Sequence, residues 1–340
     1  GTVTLLAEDN FNNLNIAGGS TTIGNSTTSR NITVKGNLTV NSGTGLYTYN
    51  GGVVNNLYVY GDITNDGTLN LSRAAGRYCN LYIQSDQPHS ISGTTAAVNT
   101  LYSLILSENS NTTTLNFNML TSLSGTLNIK NGTTLITQTV ISAGSVTIET
   151  GGTWNAGALN HTATGSWIDD GTLISTGTIS FTGTVSLISE NNFNNLTITG
   201  GTTTIRNNTT SRTVIVKGNL SVNSGSILYT YNGVVTNNLY VRGNLYNNGS
   251  INFVRNTNRY CNLIIETDQP HSISGSTATL SNFYNLILSE TSNTTTCNLN
   301  MRARFSGFLN IKNSTIFNSE TAIACGNVTI ETGGIWDAMI

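Results

Sequence analysis

The chain has 340 residues, only 9% of them charged, and a net charge of −2. Its four lysines, Lys35, Lys130, Lys217 and Lys312, are scattered, so no basic patch is offered to phosphates and nucleic acid is not an expected partner. A hydrophobic fraction of 37% excludes disorder, and no apolar run approaches the roughly 18 residues of a membrane span.

In chain order, short alternating apolar runs recur at Leu14-Asn15-Ile16, Ile32-Thr33-Val34, Leu57-Tyr58-Val59, Leu81-Tyr82-Ile83, Leu104-Ile105-Leu106, Leu127-Asn128-Ile129, Val146-Thr147-Ile148 and Leu173-Ile174-Ser175. The series then restarts at Leu196. The segment RYCNLYIQSDQPHSISG, Arg77 to Gly93, returns as RYCNLIIETDQPHSISG at Arg259 to Gly275, and Lys35-Gly36-Asn37-Leu38 returns with the same shift as Lys217-Gly218-Asn219-Leu220. The eight intervals from Leu14 to Leu196 average about 23 residues, each holding two or three strand-like runs and none with an apolar stripe at helical spacing. That is the size of one coil of a parallel β-helix, whose coils stack at about 4.8 Å. Inward Leu, Ile and Val would form the core, and Asn and Gly suit the corners because both tolerate left-handed backbone. The expected fold is therefore all-β, a parallel β-helix (β-solenoid) of two tandem superrepeats of about eight coils, residues 1–182 and a truncated, continuous 183–340. A string of antiparallel β-sandwiches competes, but Asn-Gly and Asp-Gly hairpin signals such as Asp66-Gly67 and Asn131-Gly132 are few beside the number of strands. No charged and apolar leader precedes Gly1, which reads as a processed start.

Blocks such as FNNLTI, GNLTV and NNGSINF, and a Q-x-x-S-I-S-G segment followed about ten residues on by YNLIL, resemble the repeats of secreted bacterial and archaeal surface proteins, similar to filamentous-haemagglutinin-like β-helices. The resemblance implies an extracellular, cell-surface adhesin, stalk, fibre or sheath, and implies no catalytic residue. The expected function is structural, by self-association of rods into a homo-oligomer or filament. The alternative is an adhesin that binds cell-surface glycans, and a polysaccharide-active enzyme ranks below both.

Candidate sites are sparse, and no catalytic residue, cofactor or metal is assigned. Cys297 and Cys325 occur only in the second copy, about one coil apart along the chain, and suggest a ladder pair joined as a disulfide, which would imply an oxidising compartment. Cys79 and Cys261 are equivalent between copies and are expected in the core, with a bond to a neighbouring subunit as the alternative. Asp86 with His89 reads as a Pro-set turn rather than a ligand pair. The acidic pairs Glu8-Asp9 and Asp169-Asp170, the second close to Trp167, are the only ones an enzyme could draw on, and glycoside hydrolysis needs two carboxylates at defined separation. Tyr47, Tyr49, Tyr58 and Tyr60, with Tyr229, Tyr231 and Tyr240 in the second copy, could form an aromatic contact strip for sugars or for lateral packing. Ordinary cross-strand pairing is the favoured reading of them.

Overall fold

The computed structural model describes residues 1–24, 27–49, 51–74, 77–84, 87–94, 99–106, 113–188, 191–205, 210–230, 235–256, 259–266, 269–276, 278–288 and 295–338. Among them there is no helix, and the strands are parallel β-solenoid coils of about 23 residues. Two compact units are present, residues 1–162 with 169–176, and residues 163–168 with 177–340.

In the first unit each coil contributes to three ladders. Thr2–Leu5, Ser20–Ile23, Gly45–Thr48 and Thr68–Asn70 begin the first ladder. Asn31–Val34, Val54–Val59, Arg77–Ile83 and Ser103–Leu106 carry the second. The third is an eight-stranded sheet from Leu14–Ile16 to Thr172–Ser175. The second unit repeats all three with its own strands: Thr202–Ile205 and Ile227–Thr230 in the first, Asn237–Val241 and Arg259–Ile265 in the second, Leu220–Val222 and Leu245–Asn247 in the third. Alternation of side chains along each strand decides what is buried. Leu38, Ile63, Ile91 and Phe117 follow one another in register and are fully buried, whereas Thr39, Thr64 and Ser92 beside them point outward. Each such inward side chain contributes about 1.5–3 kcal/mol of apolar burial.

Coil length is uneven. The step from Thr2 to its partner Ser20 is short, whereas the step from Asn70 to its partner Thr100 is much longer. One source of the longer coil is a departure from the all-parallel pattern. Ser72–Ala74 runs antiparallel to Arg77–Ile83, and Val254–Asn256 runs antiparallel to Arg259–Ile265, so each unit carries a hairpin at the same place.

At the corners the ladder is interrupted, and backbone N–H groups need other acceptors. Asparagine side chains, and Asp62 in one coil, supply them from coil to coil. The N–H of Asn37 donates to Asn13 Oδ1 (2.8 Å), that of Asp62 to Asn37 Oδ1 (3.0 Å) and that of Ser90 to Asp62 Oδ1 (2.8 Å). In the second unit Asn219, Asn244 and Ser272 donate likewise to Asn195, Asn219 and Asn244, at 2.8, 2.9 and 2.8 Å. Glycine follows from the same corner, because a Cβ at Gly61 or Gly243 would run into the backbone of Gly36 or Gly218. Asn219→Ala strands the Asn244 N–H and is expected to lower stability by about 1 kcal/mol. Asn219→Asp keeps the acceptor and should lose less; equal urea midpoints for the alanine variant and the wild type would refute the ladder's role.

Candidate functional site

The cysteines are all free thiols. Cys79 and Cys261 are fully buried, and each Sγ–H donates to a backbone carbonyl, of Asn80 at 3.6 Å and of Asn262 at 3.5 Å. The expectation of a Cys297–Cys325 ladder pair is corrected by the register. Cys297 stands beside Phe317 in the third ladder, and Cys325 beside Phe305 in the first. The coil over Cys297 is complete at Phe317, so Cys325 lies beyond it and lands on a different face. Burial pushes the thiols of Cys79, Cys261 and Cys297 far above the ordinary range, and that of Cys325, half-buried, up as well. These are not nucleophiles, and free thiols carry no argument for an oxidising compartment.

The expected tyrosine strip is divided between faces. Tyr47 and Tyr229 lie in the first ladder, in register with Asn70 and Asn252, whereas Tyr58 and Tyr240 lie in the second. Tyr49 is exposed beyond its strand, and Tyr231 lies outside the described residues. Tyr58 stacks on Tyr82 with centroids 4.7 Å apart, and Tyr60 Oη donates to Gln84 Oε1 at 2.7 Å. Arg73 sits 5.0 Å over the Tyr47 ring. The tightest aromatic contacts were not singled out from the sequence: Tyr78 on Tyr102 at 3.4 Å and Tyr260 on Tyr284 at 3.6 Å. Their signal was available in the one-coil spacing that both copies keep. Rings stacked in this way cover one another's faces, which leaves them cross-strand partners rather than open platforms for a sugar.

The histidines are inward. His161 is fully buried, with Nδ1 accepting the Ile141 N–H (3.0 Å) and Nε2–H donating to the Ala156 carbonyl (3.2 Å), and its ring lies 4.9 Å from that of Trp154. Burial lowers its pKa below the usual 6.5, against the pull of the two backbone bonds. The folded chain therefore resists a proton that the unfolded chain accepts, and stability is lost as pH falls below about 6.5. The urea midpoint of His161→Gln relative to the wild type should rise as pH falls from 7.5 to 5.5; a difference independent of pH would count against it. His89 lies 3.8 Å from Asp62 Oδ1 through Nδ1, and Asp86 falls outside the described residues.

Of the two acidic pairs, Asp169 is the more perturbed. It is 5% exposed, and burial first and the charge of Asp170 second push its pKa up to about 7, with the Gly171 N–H pulling the other way. Among the described residues no group of three or more His, Cys, Asp or Glu side chains could hold a metal ion, and no helix is long and apolar enough to cross a membrane. The chain matches no family model, no curated protein and no solved structure.

Proposed function

We propose that the chain is a structural protein of the cell surface, a β-solenoid that builds or decorates a fibre, sheath or stalk by associating with copies of itself. The observation that carries this reading is the regular, nearly uncharged ladder on the outward faces. Asn56 Nδ2 donates to Asn31 Oδ1 (2.9 Å) and Asn80 Nδ2 to Asn56 Oδ1 (3.0 Å), and in the second unit Asn262 Nδ2 donates to Asn238 Oδ1 (2.8 Å), the series turning inward at the buried Asn285. In the first unit the stacked pair Tyr58 and Tyr82 lies in the same strands. Such faces are flat, repeat at the coil spacing and present few charges to oppose lateral packing. Extracellular placement belongs to the same proposal. The glycan-binding alternative draws on the tyrosines, and their division between two ladders, with Tyr58 covered by Tyr82, ranks it second.

The test is electron microscopy and sedimentation of the purified chain across a concentration series. Ordered polymers or discrete oligomers are expected at high concentration. A strictly monomeric chain at millimolar concentration would refute the proposal, and specific hits on a glycan array from that monomer would favour the adhesin.

A further inference from the structure

In the third ladder of the second unit His271, Cys297, Phe317 and Trp336 occupy one column, rung after rung. The first unit has His89, Leu115, Leu135 and Trp154 there. Only the second unit therefore sets a thiol next to the histidine. His271 is 5% exposed and Cys297 is fully buried. His271 Nδ1–H donates to the Gln269 carbonyl at 3.2 Å, which fixes the tautomer and leaves Nε2 as a bare lone pair. That nitrogen is buried without a hydrogen-bond partner, as is His89 Nε2 at the equivalent place in the first unit. An imidazole anchored through one nitrogen to a backbone carbonyl, with the other buried and without a partner, is the arrangement of a metal-ligating histidine.

We infer that Cys297 Sγ and His271 Nε2 form a two-coordinate site for a soft monovalent cation of the copper(I) class. Adjacent rungs lie about 4.8 Å apart. Metal bonds of about 2.3 Å to sulfur and about 2.0 Å to nitrogen span nearly that separation when the ion sits between the two in a line. Thiolate sulfur selects soft ions, and two ligands do not satisfy tetrahedral zinc. Charge narrows the choice further. A thiolate with a monovalent cation is neutral overall, whereas a divalent ion would leave a net positive charge beside Phe317 in an apolar interior. On binding, the Cys297 S–H bond breaks and its proton passes to solvent, the sulfur–metal bond forms, and the Nε2 lone pair completes the pair. No electron is transferred.

This inference is independent of the scaffold proposal, and its control is built into the chain. Wild-type protein is refolded anaerobically in chelator-buffered copper(I), so that access to the interior does not limit loading, and is then desalted. The expected result is one ion per chain, with one sulfur and one nitrogen in its X-ray absorption shell. Cys297→Leu, which copies the first unit at Leu115, should fold as the wild type does by circular dichroism and lose the ion, whereas Cys325→Ser should keep it. Leu115→Cys should raise the stoichiometry to two. No uptake by the wild type, a shell of sulfur alone, undiminished uptake in Cys297→Leu or an unchanged stoichiometry in Leu115→Cys would each overturn the site.

Discussion

Trp167→Ala is expected to destabilise the second unit by about 3–5 kcal/mol, the usual range for removing a buried tryptophan side chain. Trp167 is fully buried and pairs through its backbone with Leu187. Its ring lies 5.6 Å from Phe181 and 5.5 Å from Phe193, which are 5.8 Å from each other edge to face, so three large side chains fill one section of the core. Removing the central ring leaves a void that two phenyl groups held by parallel strands cannot close, and each loses its tilted contact with the indole while keeping the edge contact with the other. Trp336 is the comparison. It is half-buried and 6.3 Å from Phe317, its Nε1–H donating to Ser319 Oγ at 3.0 Å, so Trp336→Ala should lose no more than about 1–2 kcal/mol. Because repeat architectures add stability from neighbour to neighbour, the Trp167 loss should be local. Hydrogen exchange should accelerate first in Val185–Leu187 and Asn191–Phe193. A drop of under about 1 kcal/mol, or exchange that rises evenly along the chain, would show that the three rings are not packed as a unit.

What the sequence makes legible here is what period-two alternation controls. The runs around Leu38, Leu57, Leu81 and Leu220 are strands because inward and outward positions alternate, and the mean spacing of such runs is the coil. The individual coil lengths were not legible. Insertions at corners such as the hairpin at Ser72–Ala74 change one coil without disturbing the alternation in the next. The coil over Cys297 departs the other way: it is shorter than the mean and closes at Phe317, so Cys325 overshoots the rung and falls in another ladder. Asn37 and Asn219 are abundant-looking corner residues in the sequence, and their work appears only when the next coil's N–H is located. The orientation of His161 and the protonation of Asp169 depend on which neighbours a coil brings over them, about 20 residues away along the chain in the case of Ile141 and His161.

Asp169→Asn is expected to stabilise the first unit at neutral pH, by up to about 4 kcal/mol. The carboxyl group is raised from 3.8 to about 7, through burial above all and then through Asp170. The folded-state value lies above the unfolded one, so the folded chain holds a proton that the unfolded chain releases. Below about pH 3.8 both states are protonated and the group has no effect. Between about 4 and 7 the unfolded state is increasingly favoured, by about 1.4 kcal/mol per pH unit, and above about 7 the loss is complete. Three units at that slope set the ceiling. Asparagine has the same shape and no charge to bury, so the variant should lack this segment of the pH profile while keeping the opposite trend from His161, whose contribution weakens as pH falls. The measurement is the difference in urea midpoint between wild type and Asp169→Asn at pH 4, 6 and 8. The difference should be near zero at pH 4 and widen towards pH 8. Asp170→Asn should narrow it by removing the second cause, leaving burial as the larger part. A difference that is constant with pH would mean that folding does not raise the Asp169 pKa, and the buried, proton-holding carboxyl would have to be abandoned.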